Sequence, residues 1–154
     1  MNVTLDMDSE AFAQSVGAEL AVLKVPCQAA MAMSFAEDAY NSFGVDGQNR
    51  MSEWPALSMA YALKKHGGDT TPTLVLSGEL RESIRNGIDA TNEDAATVST
   101  DVPYADLMQN GGVNANDRVV PARPFFPIVG DEVWQPTADK CVDACRQVLE
   151  ERLR

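Results

Sequence analysis

The sequence predicts an α+β fold: helices at the N-terminal end, a central antiparallel β-hairpin sheet, and a C-terminal helix packed on that sheet. Three observations carry the prediction. Phe12, Val16, Leu20 and Leu23 recur at helical spacing near the start of the chain. Ala138, Cys141, Val142, Cys145, Val148 and Leu149 form a second apolar stripe near its end. Between them, Ile84, Asn86, Ile88 and Ala90 alternate, and Ala96 and Val98 do so again beyond the polar turn Thr91–Asp94. At 154 residues the chain is most simply one domain, residues 1–154, long enough to bury a substantial core.

Taken in order, Val3, Leu5 and Met7 alternate as a short strand would, and Asp8 or Ser9 is placed to cap a helix from about Glu10. Pro26 is expected to kink or break that helix, because proline lacks the N–H that the ladder needs. A second helix is expected from about Gln28 to Phe43, followed by a polar turn from Gly44 to Glu53. Pro55 suits the first turn of a short helix in which Leu57, Tyr61 and Lys64 share a face, stopped by Gly67-Gly68-Asp69. Thr73–Leu76 is a small apolar run, and Glu79–Ile84 reads as a helical turn leading into a strand. Pro103–Gln109 reads as a short helix and Val119–Ile128 as extended chain, with the polar, glycine-rich Gln109–Val119 a candidate mobile loop between them. Thr137 is placed to cap the closing helix, with Arg152 and Arg154 at its cation-favouring end.

Composition narrows the function classes. The net charge of −11, from 23 acids against 12 bases, repels phosphate backbones and argues against ordinary nucleic-acid binding. It suits solubility, a surface past which DNA moves without sticking, or contact with a basic partner. No apolar run approaches the roughly 20 residues of a membrane span, and the N-terminus has acids but no base, unlike a signal peptide. Synthesis in the cytoplasm is therefore expected. Cys27, Cys141 and Cys145 make no secreted disulfide framework. A zinc site would need all three and the single His66, gathered from distant segments without the close ligand pairs of zinc modules. Small apolar residues on buried helix faces are the simpler reading of these cysteines. For hydrolysis the sequence offers no histidine beside a serine or cysteine, and no close acid set with metal spacing. Glu82 and Arg85 stand at the spacing of an ordinary helix salt bridge.

The stiffest segment is Pro121-Ala122-Arg123-Pro124-Phe125-Phe126. Its prolines fix φ and push their neighbours to extended conformations, so Arg123 is presented in a set direction. That direction leads either to an intersubunit carboxylate or to an acid of the same chain. Phe125 and Phe126 would face opposite ways on a strand, one into the core and one toward a neighbour. Trp54 reads as a packing residue, and Tyr104 as packed with its hydroxyl paired to backbone. Gly78, Gly111 and Gly112 read as turn residues needing positive φ. Met31, Met33, Met51, Met59 and Met108 are core filler or an adaptable contact surface.

In sequence order, Phe43-Gly44, Trp54-Pro-Ala-Leu57-Ser58, Tyr61 and Lys64 precede Ser77-Gly78-Glu79-Leu80-Arg81-Glu82-Ser83-Ile84. Tyr104-Ala105, Gly111-Gly112 and Pro121-Ala122-Arg123-Pro124-Phe125 follow. This succession resembles the phage virion morphogenesis family, the tail-completion or neck proteins of Mu-like and related tailed phages. The resemblance covers about residues 43 to 128, and the terminal helices match only in kind. One departure stands out. Those proteins often carry a histidine–glutamine pair near the end of the Tyr-Ala segment, where this chain has Leu107-Met108-Gln109.

The resemblance implies a structural virion component with no cofactor and no chemistry. It would act at the head–tail junction, in the neck or tail of the virion, and reside in host cytoplasm during assembly. Its implied partners are further copies of itself in a hexameric ring, a head-connector or adaptor protein, and tail-terminator or tail-tube proteins. Genomic DNA would pass through without specific binding. Six copies would carry about six times the charge of −11, which suits a lumen that DNA slides through. A tail-terminator ring, and an acidic DNA mimic that binds a basic host factor, are the alternative readings.

Overall fold

The computed structural model describes residues 9–44, 47, 49–71, 74–91, 95–152 and 154, and its fold class is α+β. The expected strand at Val3–Met7 lies outside the described residues, as do the side chains of Phe12, Val16 and Leu20, residue Thr73, and most of the turn at 91–94.

The first element, α1 (Ser9–Asn41), is one helix of 33 residues, and Pro26 lies inside it. The expected break does not occur. Val22, four residues earlier, is well exposed, so water can satisfy the carbonyl that proline leaves without a donor. The last helix, α5 (Gln135–Arg152), runs antiparallel along α1. Cys27 lies by Cys145, Met31 by Cys141, and Asp38 by Thr137 and Lys140. Thr137 is therefore not the cap. It is fully buried, and its hydroxyl donates to Asp38 Oδ2 at 2.8 Å. Val142 leaves the predicted stripe and faces solvent.

Between the two long helices the chain forms short pieces. Helix α2 (Met59–Lys65) starts later than expected. Ser58 caps it by accepting from Tyr61 N, while Trp54–Leu57 stays outside the helix. Helix α3 (Glu79–Asn86) takes in Ile84, which was expected on a strand. Leu80 and Ile84, four apart, both enter the core, and helical spacing prevails over the alternation. The hairpin β1 (Ile88–Asp89) with β2 (Thr97–Val98) is confined to its outer half.

Helix α4 (Ala105–Asn110) leads into β3 (Gly112–Val113) and β4 (Val119–Val120). The expected mobile loop is thus a closed hairpin, whose turn is held by Asn114 Oδ1 accepting from the N–H groups of Asn116 and Arg118. A third hairpin, β5 (Ile128–Val129) with β6 (Glu132–Val133), runs directly into α5. There is no single central sheet: the described strands form three separate pairs. The core is built from Ala36, Ala39 and Phe43 of α1 and its end, Trp54, Leu80, Ile84, Val102, Ala105 and Phe125. Helix α1 supplies one wall, packing on α3 and on β1–β2 as well as on α5.

Candidate functional site

Two neighbouring features gather the residues singled out in the sequence: a buried knot and an open groove. The knot forms where the proline-flanked segment meets Trp54-Pro55-Ala56. Arg123 is only 5% exposed, and its side chain turns inward. Its Nε and Nη2 donate to Pro55 O at 3.2 and 2.9 Å, and Nη2 also reaches Ala56 O at 3.3 Å. Within the chain its partner is therefore not the expected acid. Backbone carbonyls take its place, one of them on a proline that has no N–H to offer in a ladder. Burial lowers the pKa of Arg123 from the ordinary arginine value, with Tyr61 opposing the shift.

The same segment is tied on its other sides. Trp54 Nε1 donates to Pro124 O at 3.1 Å, and the Trp54 ring meets Phe43 edge-on while the Arg50 guanidinium lies 4.0 Å from its centre. Arg123 N donates to Met108 O at 2.7 Å. Gln109 Oε1 accepts from the N–H groups of both Phe125 and Phe126 at 2.9 Å, and its Nε2 donates to Phe126 O at 3.2 Å.

One amide side chain thus replaces a missing strand. Because two successive N–H groups point at the same oxygen, the segment is not pleated, and the phenyl rings do not alternate. Phe125 is buried against Phe43, Phe126 packs on Phe35, and their own centroids are 4.9 Å apart. Phe125 enters the core as expected, while Phe126 is half-buried beside it instead of pointing to the opposite face. Gly111 (φ 71°) sits beside this crossing, where a Cβ would stand 2.7 Å from Ala122 N. Gly78 and Gly112 also have positive φ, as the sequence predicts.

The groove encloses about 720 Å³ between α2, the start of α3, α4 and the β3–β4 hairpin. Motif residues line it, among them Leu57, Ser58, Gly78, Leu80, Tyr104, Pro121 and the edge of Arg123. Tyr104 is exposed there, and among the described residues its hydroxyl has no hydrogen-bond partner, contrary to expectation. Burial of the ring, followed by the charges of Glu79 and Tyr61, raises its pKa. Leu76 and Val119 leave large apolar surfaces exposed on the same walls. The other motif residues are scaffold. Ser83 Oγ donates to Leu80 O and pairs with Thr100 Oγ1, while Ile84 and Ala105 are buried in the core.

Three polar residues at packed positions escaped the sequence reading. Gln109 is one. Asp38 is another: it is buried in the α1–α5 seam, where Thr137, Lys140 (2.7 Å) and Asn49 (3.0 Å) satisfy it. Its signal was an acid set among the apolar residues Phe35, Ala36 and Ala39 of α1. Tyr40 is the third, with the guanidiniums of Arg81 and Arg85 at 3.8 and 3.4 Å from its ring centre and its hydroxyl donating to Glu82. Arg85 pairs with Glu37 of α1 at 2.9 Å rather than with Glu82, so that bridge ties two helices instead of one. Met108 packs on the core, whereas Met33 and Met59 are exposed.

No three His, Cys, Asp or Glu side chains gather as a metal site among the described residues. His66 packs at a tilt against Tyr61 beside the groove, while the cysteines lie in the α1–α5 seam. No helix of the described residues is long and apolar enough to cross a membrane. The chain matches no family model, no curated protein and no solved structure.

Proposed function

We propose that the protein is a structural component of a tailed-phage virion, acting at the head–tail junction as a ring that joins tail to head. One observation carries the reading. Motif residues spread from Trp54 to Phe125 converge on a single knot and on the groove beside it. The resemblance to tail-completion proteins rests on those same residues. Their joint presence has a physical reason: each half of the knot supplies the hydrogen-bond partners of the other.

In this reading the knot sets the shape of the subunit, and the exposed apolar groove meets neighbours. The partners are further copies of the chain, a head-connector protein and a tail-terminator or tail-tube protein. The acidic surface lets genomic DNA pass without binding. The residues perform no chemistry; the protein works by contact geometry and needs no cofactor. Its place would be the virion neck, after assembly in host cytoplasm.

Electron microscopy of lysates in which this gene is interrupted tests the reading. The expected result is filled heads beside complete, unattached tails. Overlong tails would instead identify a tail terminator. Normal infectious particles would overturn the virion role and favour an acidic mimic that binds a basic host protein.

A further inference from the structure

The groove and the β5–β6 hairpin are two unlike surfaces on one chain, and they complement each other. The groove lining carries Arg118 and Arg123 against one acid, Glu79, a cationic balance on a chain of net charge −11. Arg118 forms no ion pair among the described residues. Its walls expose Leu76, Tyr61, Tyr104 and, at 81%, Val119.

The hairpin has the opposite character. Its register places Ile128 across from Val133 on one face and Val129 across from Glu132 on the other, around Gly130-Asp131. Ile128, Val129 and Val133 are all exposed, and Val129 is 60% open to solvent. Asp131 and Glu132 are its two acids, it has no base, and neither acid is paired among the described residues. No hairpin residue lines the groove of its own chain.

We infer that the β5–β6 hairpin of one copy docks into the α2/α3/β3–β4 groove of the next, with Ile128, Val129 and Val133 against its apolar walls and Asp131 and Glu132 toward Arg118. This rests on the ring reading above and names the contact that builds the ring. Surfaces that differ and complement each other associate head to tail, and such contacts close into rings when the rotation between copies allows. Burying exposed valines and leucines supplies the drive, while the charges fix register and exclude the reversed docking.

Native mass spectrometry of the intact chain tests the contact. The samples are wild type, Arg118→Glu, the pair Asp131→Lys with Glu132→Lys, and an equal mixture of the two variants. Wild type is expected to form a closed oligomer. Each variant alone should need roughly tenfold or more protein to assemble. The mixture should regain assembly, because each variant keeps the surface that the other has lost and the reversed charges also match. Melting temperatures identify a variant that fails to fold, and Val129→Ser then serves in its place. Variants that assemble like wild type overturn the hairpin contact and leave the ring reading standing. A wild type that stays monomeric at its highest soluble concentration overturns both.

Discussion

The knot and the groove share a wall and differ in how their polar and apolar groups are satisfied. In the knot, the cation, the indole N–H and the successive backbone N–H groups all have hydrogen-bond partners, and the aromatic rings around them are packed. In the groove, an arginine and a tyrosine hydroxyl are unpaired among the described residues, and Leu76 and Val119 meet water. Buried polar groups without partners cost stability, so a protein tolerates the second state only at a surface. The comparison teaches that residues close in sequence can serve opposite ends: Arg123 holds the subunit together, whereas Arg118, five positions earlier, is exposed and has no ion pair among the described residues.

Substitutions in the knot should separate from those in the groove by what they damage. The largest expected effect is at Phe125, the largest of the fully buried side chains. Phe125→Ala should cost about 3–5 kcal/mol in urea unfolding, from lost transfer energy plus a cavity. Next comes Arg123→Met, which strands the carbonyls of Pro55 and Ala56 and should cost about 2–3 kcal/mol by the same measurement. An unchanged melting temperature there would contradict the inward role.

Gln109→Leu removes the side chain that accepts two N–H groups and donates to one carbonyl, and about 1–3 kcal/mol should be lost. In the groove the expectation reverses. Leu76→Ser should leave unfolding within about 0.5 kcal/mol of wild type while weakening assembly. The smallest effect concerns the Glu37–Arg85 pair. Hydrogen bonding from Arg85 holds the Glu37 carboxyl below its ordinary pKa. Its contribution is therefore present above the unfolded-state pKa and lost as pH falls through the folded value. The urea midpoints of wild type and Glu37→Gln should differ slightly at neutral pH and converge in acid.

The sequence displayed these two regions unequally. Most of the apolar stripe of α5 and the positive-φ glycines were legible because local sterics and spacing decide them. The stiffness of Pro121–Phe126 was legible for the same reason. Its direction was not, because proline fixes φ without saying which side of the chain meets the core. Arg123 turns inward because Pro55 and Ala56 present carbonyls from 68 and 67 residues away, and no local pattern records that meeting. Gln109 was hidden likewise, since its polar side chain satisfies backbone groups 16 and 17 residues away and leaves no local pattern. Ile84 misled because residues 84 and 88 are four apart, which suits helix and alternation alike. Pro26 misled because an exposed helix face tolerates the carbonyl it frees.

The central claim is that the groove, and not the knot, joins this protein to its neighbours in a virion. The most direct measurement is electron microscopy of particles whose only copy of the chain carries Leu76→Ser and Val119→Ser, with melting of the purified variant as the control for folding. The account predicts a variant that melts like wild type and leaves filled heads and complete tails unjoined. Normally joined, infectious particles from the same variant would contradict it.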